Sequence, residues 1–204
     1  MKKWLCFALA LCLCLTMAGC GGDAEDGSAT PTNNSSAPVP DPDLTVADCY
    51  TFTENEDGTY SYSVEWRGGG RIYVKENMPR PVSFAEVGED VVIVEGQEGT
   101  GVGARWAVYC DIERGRVSET CYGYLAGVED RVAFVEQRTE KYHVFVCDPF
   151  EPQEILAAYT MEGMVIPDGG DMLKNFALSK EGVLTVTYPT EAGDKVITAD
   201  LNAL

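Results

Sequence analysis

Short runs with the residue types and two-residue period of β-strands recur along this chain. Four such runs open in sequence: Tyr60-Ser61-Tyr62-Ser63-Val64-Glu65-Trp66, Val91–Val94, Val132–Val135 and Val183–Tyr188. Each follows an acid, a glycine or both, as in Asp57-Gly58, Gly88-Glu89-Asp90, Glu129-Asp130 and Glu181-Gly182. A polar gap then leads to a second run: Arg71–Val74, Trp106–Tyr109, His143–Val146 and Val196–Ala199. The second runs close near an acid, at Glu76, Asp111, Asp148 and Asp200. A third stretch follows in three of the units, at Pro81–Phe84, Arg116–Tyr124 and Glu154–Tyr159. Spacing between the closing acids is 35, 37 and 52 residues, so the last unit carries an insertion around Ile166–Lys174. Helix is scarce, with one short helix expected at Glu154–Tyr159 and another at Asp171–Leu178. The pattern predicts an all-β domain of antiparallel strand repeats over residues 44–204, which is 161 residues and enough for one full core.

Units of this length built on hairpins resemble the blades of β-propellers. The likeness covers 57–204 in outline, shows mostly three strands per unit, and carries no Trp-Asp blade signature. It implies a propeller-like arrangement. A continuous meander folded into a sandwich or barrel satisfies the same pattern.

The chain opens differently. Met1-Lys2-Lys3 is basic, Trp4–Ala18 is apolar apart from Thr16, and small Gly19 precedes Cys20. A positive start, a 7–15-residue apolar run and a small-residue cut mark a secretory signal, and the run is short for a spanning helix. Leu15-Thr16-Met17-Ala18-Gly19-Cys20 resembles the lipobox of bacterial lipoproteins, with Met17 where that family usually has Leu. The resemblance implies cleavage after residue 19, diacylglycerol on the Cys20 thiol and an extracytoplasmic, membrane-anchored protein. Two acyl chains anchor stably where one is marginal.

Residues 20–43 follow as a tether. Gly21–Asp43 is made of Gly, Ser, Thr, Asn, Pro and acids, with Val39 its one large aliphatic, and buries too little to offset ordering entropy. A flexible chain of that length spans about 25 Å. Removing Lys2 and Lys3 from the 15 basic residues leaves 13 against 33 acidic ones, a balance of −20. Such a charge argues against nucleic acid and against adsorption on anionic lipid heads. The membrane is therefore expected as a partner through lipid alone.

Candidate chemistry is thin. Four cysteines follow Cys20: Cys49, Cys110, Cys121 and Cys147. A hairpin centred on Gly115-Arg116 would set Cys110 opposite Cys121, within disulfide range, and reduced buried thiols are the other reading. No CxxC pair is present. His143 is the one histidine, so no multi-histidine metal site exists, and four strand positions separate it from Cys147 by about 13 Å. No G-x-S-x-G is present, and Gly99–Gly103 reads as a mobile hairpin loop rather than a phosphate cradle. The acid loops Glu54–Gly58 and Asp168–Asp171 fit turn chemistry better than calcium. No metal or cofactor is expected. Tyr60, Tyr62, Trp66, Tyr73 and Trp106 would form a binding surface if they shared an exposed face. The expected function is a non-catalytic binding or scaffold module for an extracytoplasmic protein or glycan. The alternative is a carboxylate-dependent hydrolase of envelope glycan, which needs two acids about 5–10 Å apart.

Overall fold

The computed structural model describes residues 43–168 and 171–204. The signal, lipobox and nearly all of the tether lie outside the described residues. Fifteen strands form four antiparallel sheets, each from strands consecutive in the chain. The first sheet holds β1 (Tyr50–Glu54), β2 (Tyr60–Glu65) and β3 (Arg71–Met78). The second holds β4 (Ser83–Val87), β5 (Val91–Gln97), β6 (Arg105–Asp111) and β7 (Arg116–Val117), with β8 (Cys121–Tyr122) also on β6. The third holds β9 (Tyr124–Val128), β10 (Arg131–Arg138), β11 (Lys141–Cys147) and β12 (Ile155–Thr160). The fourth holds β13 (Asn175–Leu178), β14 (Val183–Thr190) and β15 (Gly193–Asp200). The all-β antiparallel meander expected from the strand pattern is the fold, and among the described residues no closed barrel forms.

The four opening runs differ in a way that sets the order of the sheets. In β5, Val92 and Val94 face the first sheet, packing with Tyr62, Val64 and Val108. Val91 and Ile93 face the third sheet, packing with Tyr109, Val132 and Cys147. The third sheet repeats this, with Val132 on one side and Ala133 and Val135 on the other. A strand apolar at every position has two faces to bury and must lie between two neighbours. In β2 and β14, the middle strands of the first and last sheets, apolar side chains alternate with Ser and Thr. Tyr62 and Val64 point inward on β2, while Ser61 and Ser63 share the outer face with Thr51 and Thr53. Leu184, Val186 and Tyr188 point inward on β14, while Thr185 and Thr187 face outward opposite Thr198 and Val196. Among the described residues, three buried clusters join the sheets in chain order, and none joins the fourth to the first. Outer faces carrying Ser and Thr on β1, β2 and β14, with Val74 and Val196 left exposed, let the row stop without closing on itself.

Several expectations are corrected. Pro81–Phe84 does not finish the first unit, because Ser83 and Phe84 begin β4, paired with β5. Glu154–Tyr159 and Asp171–Leu178 are not helices. Their ordered parts are β12 and β13, whose Ala157, Tyr159, Phe176 and Leu178 pack in the third–fourth core. Segments this short gain more from pairing with a strand than from an isolated helical turn. The loop Gly99–Gly103 is pinned by Val102, which is buried between the third and fourth sheets.

The Cys110–Cys121 disulfide is also corrected. Asp111 pairs with Arg116 and Cys110 with Val117, so the hairpin centres on Glu113-Arg114, two residues earlier than expected. Cys121 pairs with Ala107, a register shifted by one residue from the Cys110–Val117 pairing. A one-residue shift moves a side chain to the other face of the sheet. Cys110 thus sits in the first–second core and Cys121 against the second–third core, and both are free thiols.

Two-sided burial carries an energetic consequence. Ile93 is 1% exposed at the centre of the row. Ile93→Ala is expected to cost about 2–5 kcal/mol. Thr187→Ala, on the outer face of the last sheet, should stay within about 0.5 kcal/mol. Urea denaturation of both variants checks the contrast.

Candidate functional site

Asp111 and Asp148, two of the strand-closing acids picked out by the repeat, line one cleft of about 660 Å³ between the second and third sheets. The cleft forms because hairpin turns of both sheets meet at one end of the row: the β4–β5 turn, the β6–β7 turn and the β9–β10 turn. Glu76 and Asp200 do not line it, but Asn202, whose backbone N–H donates to Asp200 Oδ1 at 3.0 Å, does.

Asp111 organises this end. Its side chain is buried and accepts from the Arg114 backbone N–H at 2.9 Å, Arg114 Nη1 at 3.0 Å and Arg116 Nε at 2.9 Å. Burial pushes the Asp111 carboxyl up, but the Arg114 N–H and the two guanidinium groups outweigh it and hold the group below the ordinary carboxylate range. The Arg116 guanidinium lies over the Phe150 ring at 4.1 Å, and Phe150 meets Tyr109 edge-on at 6.4 Å. The Phe150 backbone N–H donates to Asp148 Oδ1 at 2.8 Å. One chain of contacts therefore ties the closing turns of both middle sheets together.

The other carboxylates of the cleft are mostly committed. Asp90 pairs with Arg67 at 2.5 Å, and Arg67 Nε also donates to the Leu44 carbonyl at 3.0 Å, fastening the start of the domain beside the cleft. Asp130 pairs with Arg131 at 3.0 Å. Glu86 accepts from the Tyr50 hydroxyl at 2.9 Å. Among the described residues no group of three or more His, Cys, Asp or Glu is arranged to hold a metal ion.

The aromatic residues singled out in the sequence do not make one exposed surface. Tyr62 and Trp106 are buried and Tyr73 is half-buried in the first–second core. Trp66 is half-buried with its indole lying against Gly68 and Gly115. Tyr60 is half-buried and stacks on the exposed Phe52 at 5.6 Å. The more exposed aromatic is Tyr122, at 61%, on the two-residue β8. So short a strand leaves no period by which the sequence could mark its outward face. His143 stands apart from the cysteines and the cleft. Its Nδ1 lies 3.2 Å from the Thr160 hydroxyl, and its ring stacks on Phe145 at 5.4 Å. Burial pushes the Cys110 and Cys121 thiols up to about 12 and Cys147 to about 11, so these sulfurs stay protonated and unreactive at neutral pH. The lipidation site Cys20 lies outside the described residues. Asp57, in the first acid loop, accepts from the Thr59 N–H at 3.0 Å and hydroxyl at 2.6 Å, and residues 169 and 170 of the second lie outside the described residues.

Comparison of the chain with protein-family models, with curated proteins and with solved structures found no match.

The Asp111 arrangement predicts a signed pH effect. Its folded pKa is depressed, so its stabilisation is present above the unfolded value of about 3.9 and is lost as pH falls through the lower folded value. Asp111→Asn should cost about 1.5–3 kcal/mol at pH 7, and the cost should shrink as pH falls below the unfolded value of about 3.9 and the wild-type carboxyl is itself protonated. Urea titrations of both proteins across that range measure the convergence. A difference that is constant with pH would place the effect elsewhere.

Proposed function

We propose that this chain is a non-catalytic binding module, tethered outside the cytoplasmic membrane by lipid on Cys20, that presents its β-domain to an extracytoplasmic protein or glycan. The observation that carries this reading is the state of Asp111. The most buried carboxylate of the cleft between the second and third sheets is ionised and held by three N–H donors, which suits a fixed recognition surface and leaves it no proton to give. Among the described residues the one histidine lies away from the cleft, bonded to Thr160, and the Cys110 and Cys121 thiols are held protonated by burial. The overall negative charge favours cationic groups on the partner.

The alternative reading is a glycan hydrolase, favoured by Glu129 and Asp148 in the same cleft. Release of reducing ends from purified envelope glycan, abolished by Asp148→Asn, would favour it over the binding module.

The anchoring half of the reading has its own test. Cys20→Ser should move the protein from the membrane fraction to the soluble fraction, measured by immunoblot after ultracentrifugation. Unchanged membrane retention contradicts lipid anchoring. For the binding half, the full chain solubilised in detergent and immobilised should capture the same extracytoplasmic component reproducibly, and Arg116→Ala should weaken capture.

A further inference from the structure

A pocket of about 290 Å³ opens at the end of β5 away from the cleft, with Pro81, Val82, Ser83, Glu95, Gln97 and Arg105 in its lining. It adjoins a slot of about 240 Å³ beside Trp106, with which it shares Pro81, Val82, Gly96 and Gln97. Strand register sets its polar side. Ser83 lies opposite Glu95, and Gln97 lies opposite Arg105. Residues two apart on a strand share a face, so Glu95 and Arg105 are diagonal neighbours on one face of the second sheet. Such neighbours stand about 7–8 Å apart at the backbone.

Two opposite charges line this pocket without meeting. Arg67, Arg71, Arg114, Arg116, Arg131 and Arg138 each pair with a carboxylate, and Arg80 donates to the Gly99 carbonyl at 3.4 Å. Arg105 has no hydrogen bond or ion pair among the described residues, in a chain with 33 acidic residues. Its guanidinium lies instead over the Phe176 ring at 4.6 Å and the Tyr124 ring at 5.6 Å. The rings hold a half-buried cation in place and leave its N–H donors unused. Glu95 is also half-buried, and its Oε1 accepts from the Tyr124 hydroxyl at 2.8 Å while Oε2 has no partner. Among the described residues, the unpartnered side-chain atoms that packing seals are Tyr62 Oη, Trp106 Nε1 and Arg131 Nε. The Arg105 nitrogens and Glu95 Oε2 are not among them, so they are unpartnered and open to solvent.

We infer that this pocket receives the charged head of a free α-amino acid. The ligand carboxylate accepts from the Arg105 guanidinium, its ammonium donates to Glu95 Oε2 and the Ser83 hydroxyl, and an aliphatic side chain lies along Pro81 and Val82. A simple anion would meet the like charge of Glu95, and a simple cation that of Arg105. A ligand carrying both signs on neighbouring groups satisfies both. The planar guanidinium suits a carboxylate, which it can bind with two parallel hydrogen bonds. The site is separate from the cleft and does not depend on what the cleft binds.

The test uses the full chain in detergent and saturation-transfer NMR with three probes. Leucine carries both charges, leucinamide the ammonium alone and N-acetylleucine the carboxylate alone. Leucine should bind saturably, and each of the other two about tenfold more weakly. Arg105→Gln should weaken leucine about tenfold and remove its advantage over leucinamide. Glu95→Gln keeps an acceptor for Tyr124, and it should remove the advantage over N-acetylleucine. No saturable binding of leucine at tens of millimolar overturns the site. Leucinamide bound by the unaltered chain as tightly as leucine overturns the carboxylate contact, and N-acetylleucine bound as tightly overturns the ammonium contact. Full-strength leucine binding by both variants places the ligand elsewhere and overturns the assignment.

Discussion

The structure depends on strands that are apolar on both faces. Val91–Val94 and Val132–Val135 cannot lie at a surface without exposing a row of β-branched side chains, so each must be covered twice. At roughly 25 cal/mol per Å² of apolar surface, one exposed face of such a strand would cost several kcal/mol, comparable to the whole stability of a domain. The second and third sheets therefore sit inside the row, and the first and fourth serve as their outer covers. The covers end the row because Ser and Thr occupy most of the outward positions of β1, β2 and β14 that would otherwise need a further neighbour.

This arrangement explains where the cleft and the slot arise. The strands of the two inner sheets are closed by turns rich in acids and arginines, and these turns meet at one end. Asp111 there is buried by the same packing that buries Cys110 and Ile112 beside it. A buried carboxylate needs compensating donors, and Arg114 and Arg116 supply them. The turn at this end of the cleft is thus organised by satisfying one charge. The slot at Trp106 arises at the first junction of the row, where the chain crosses from β3 to β4 through Pro79 and Pro81. Neither proline can donate a backbone hydrogen bond to fill the gap.

Much of this was legible in the sequence. Alternation at Tyr60–Glu65 and Val183–Tyr188 marked strands, and acid–glycine pairs marked the turns before them. The repeat of strand-closing acids marked Asp111 and Asp148 along with Glu76 and Asp200, but not that the first two would share a cleft. What was not legible turned on register and on partner choice. Pro81–Phe84 reads equally well as the end of one unit or the start of the next, since pairing is decided by β5. The Cys110–Cys121 relation depended on where a hairpin centres and on a one-residue shift beyond Val117, which no local residue type announces. Which of Tyr60, Tyr62, Trp66, Tyr73 and Trp106 are core was not legible, because the second sheet that covers Tyr62 and Trp106 is not written in their own segments. The uncommitted indole N–H of Trp106 follows only from packing.

Native-state hydrogen exchange followed residue by residue tests the account's central claim most directly, because a row covered twice inside and once outside must show graded protection. Amides of β5, β6, β10 and β11 should exchange only by the largest opening, with free energies near the global unfolding value. Those of β1 and β15 should exchange by smaller, local openings. Equal protection of β1, β15 and the inner strands would contradict the account, since it would require the outer faces of the first and last sheets to be covered as fully as the rest.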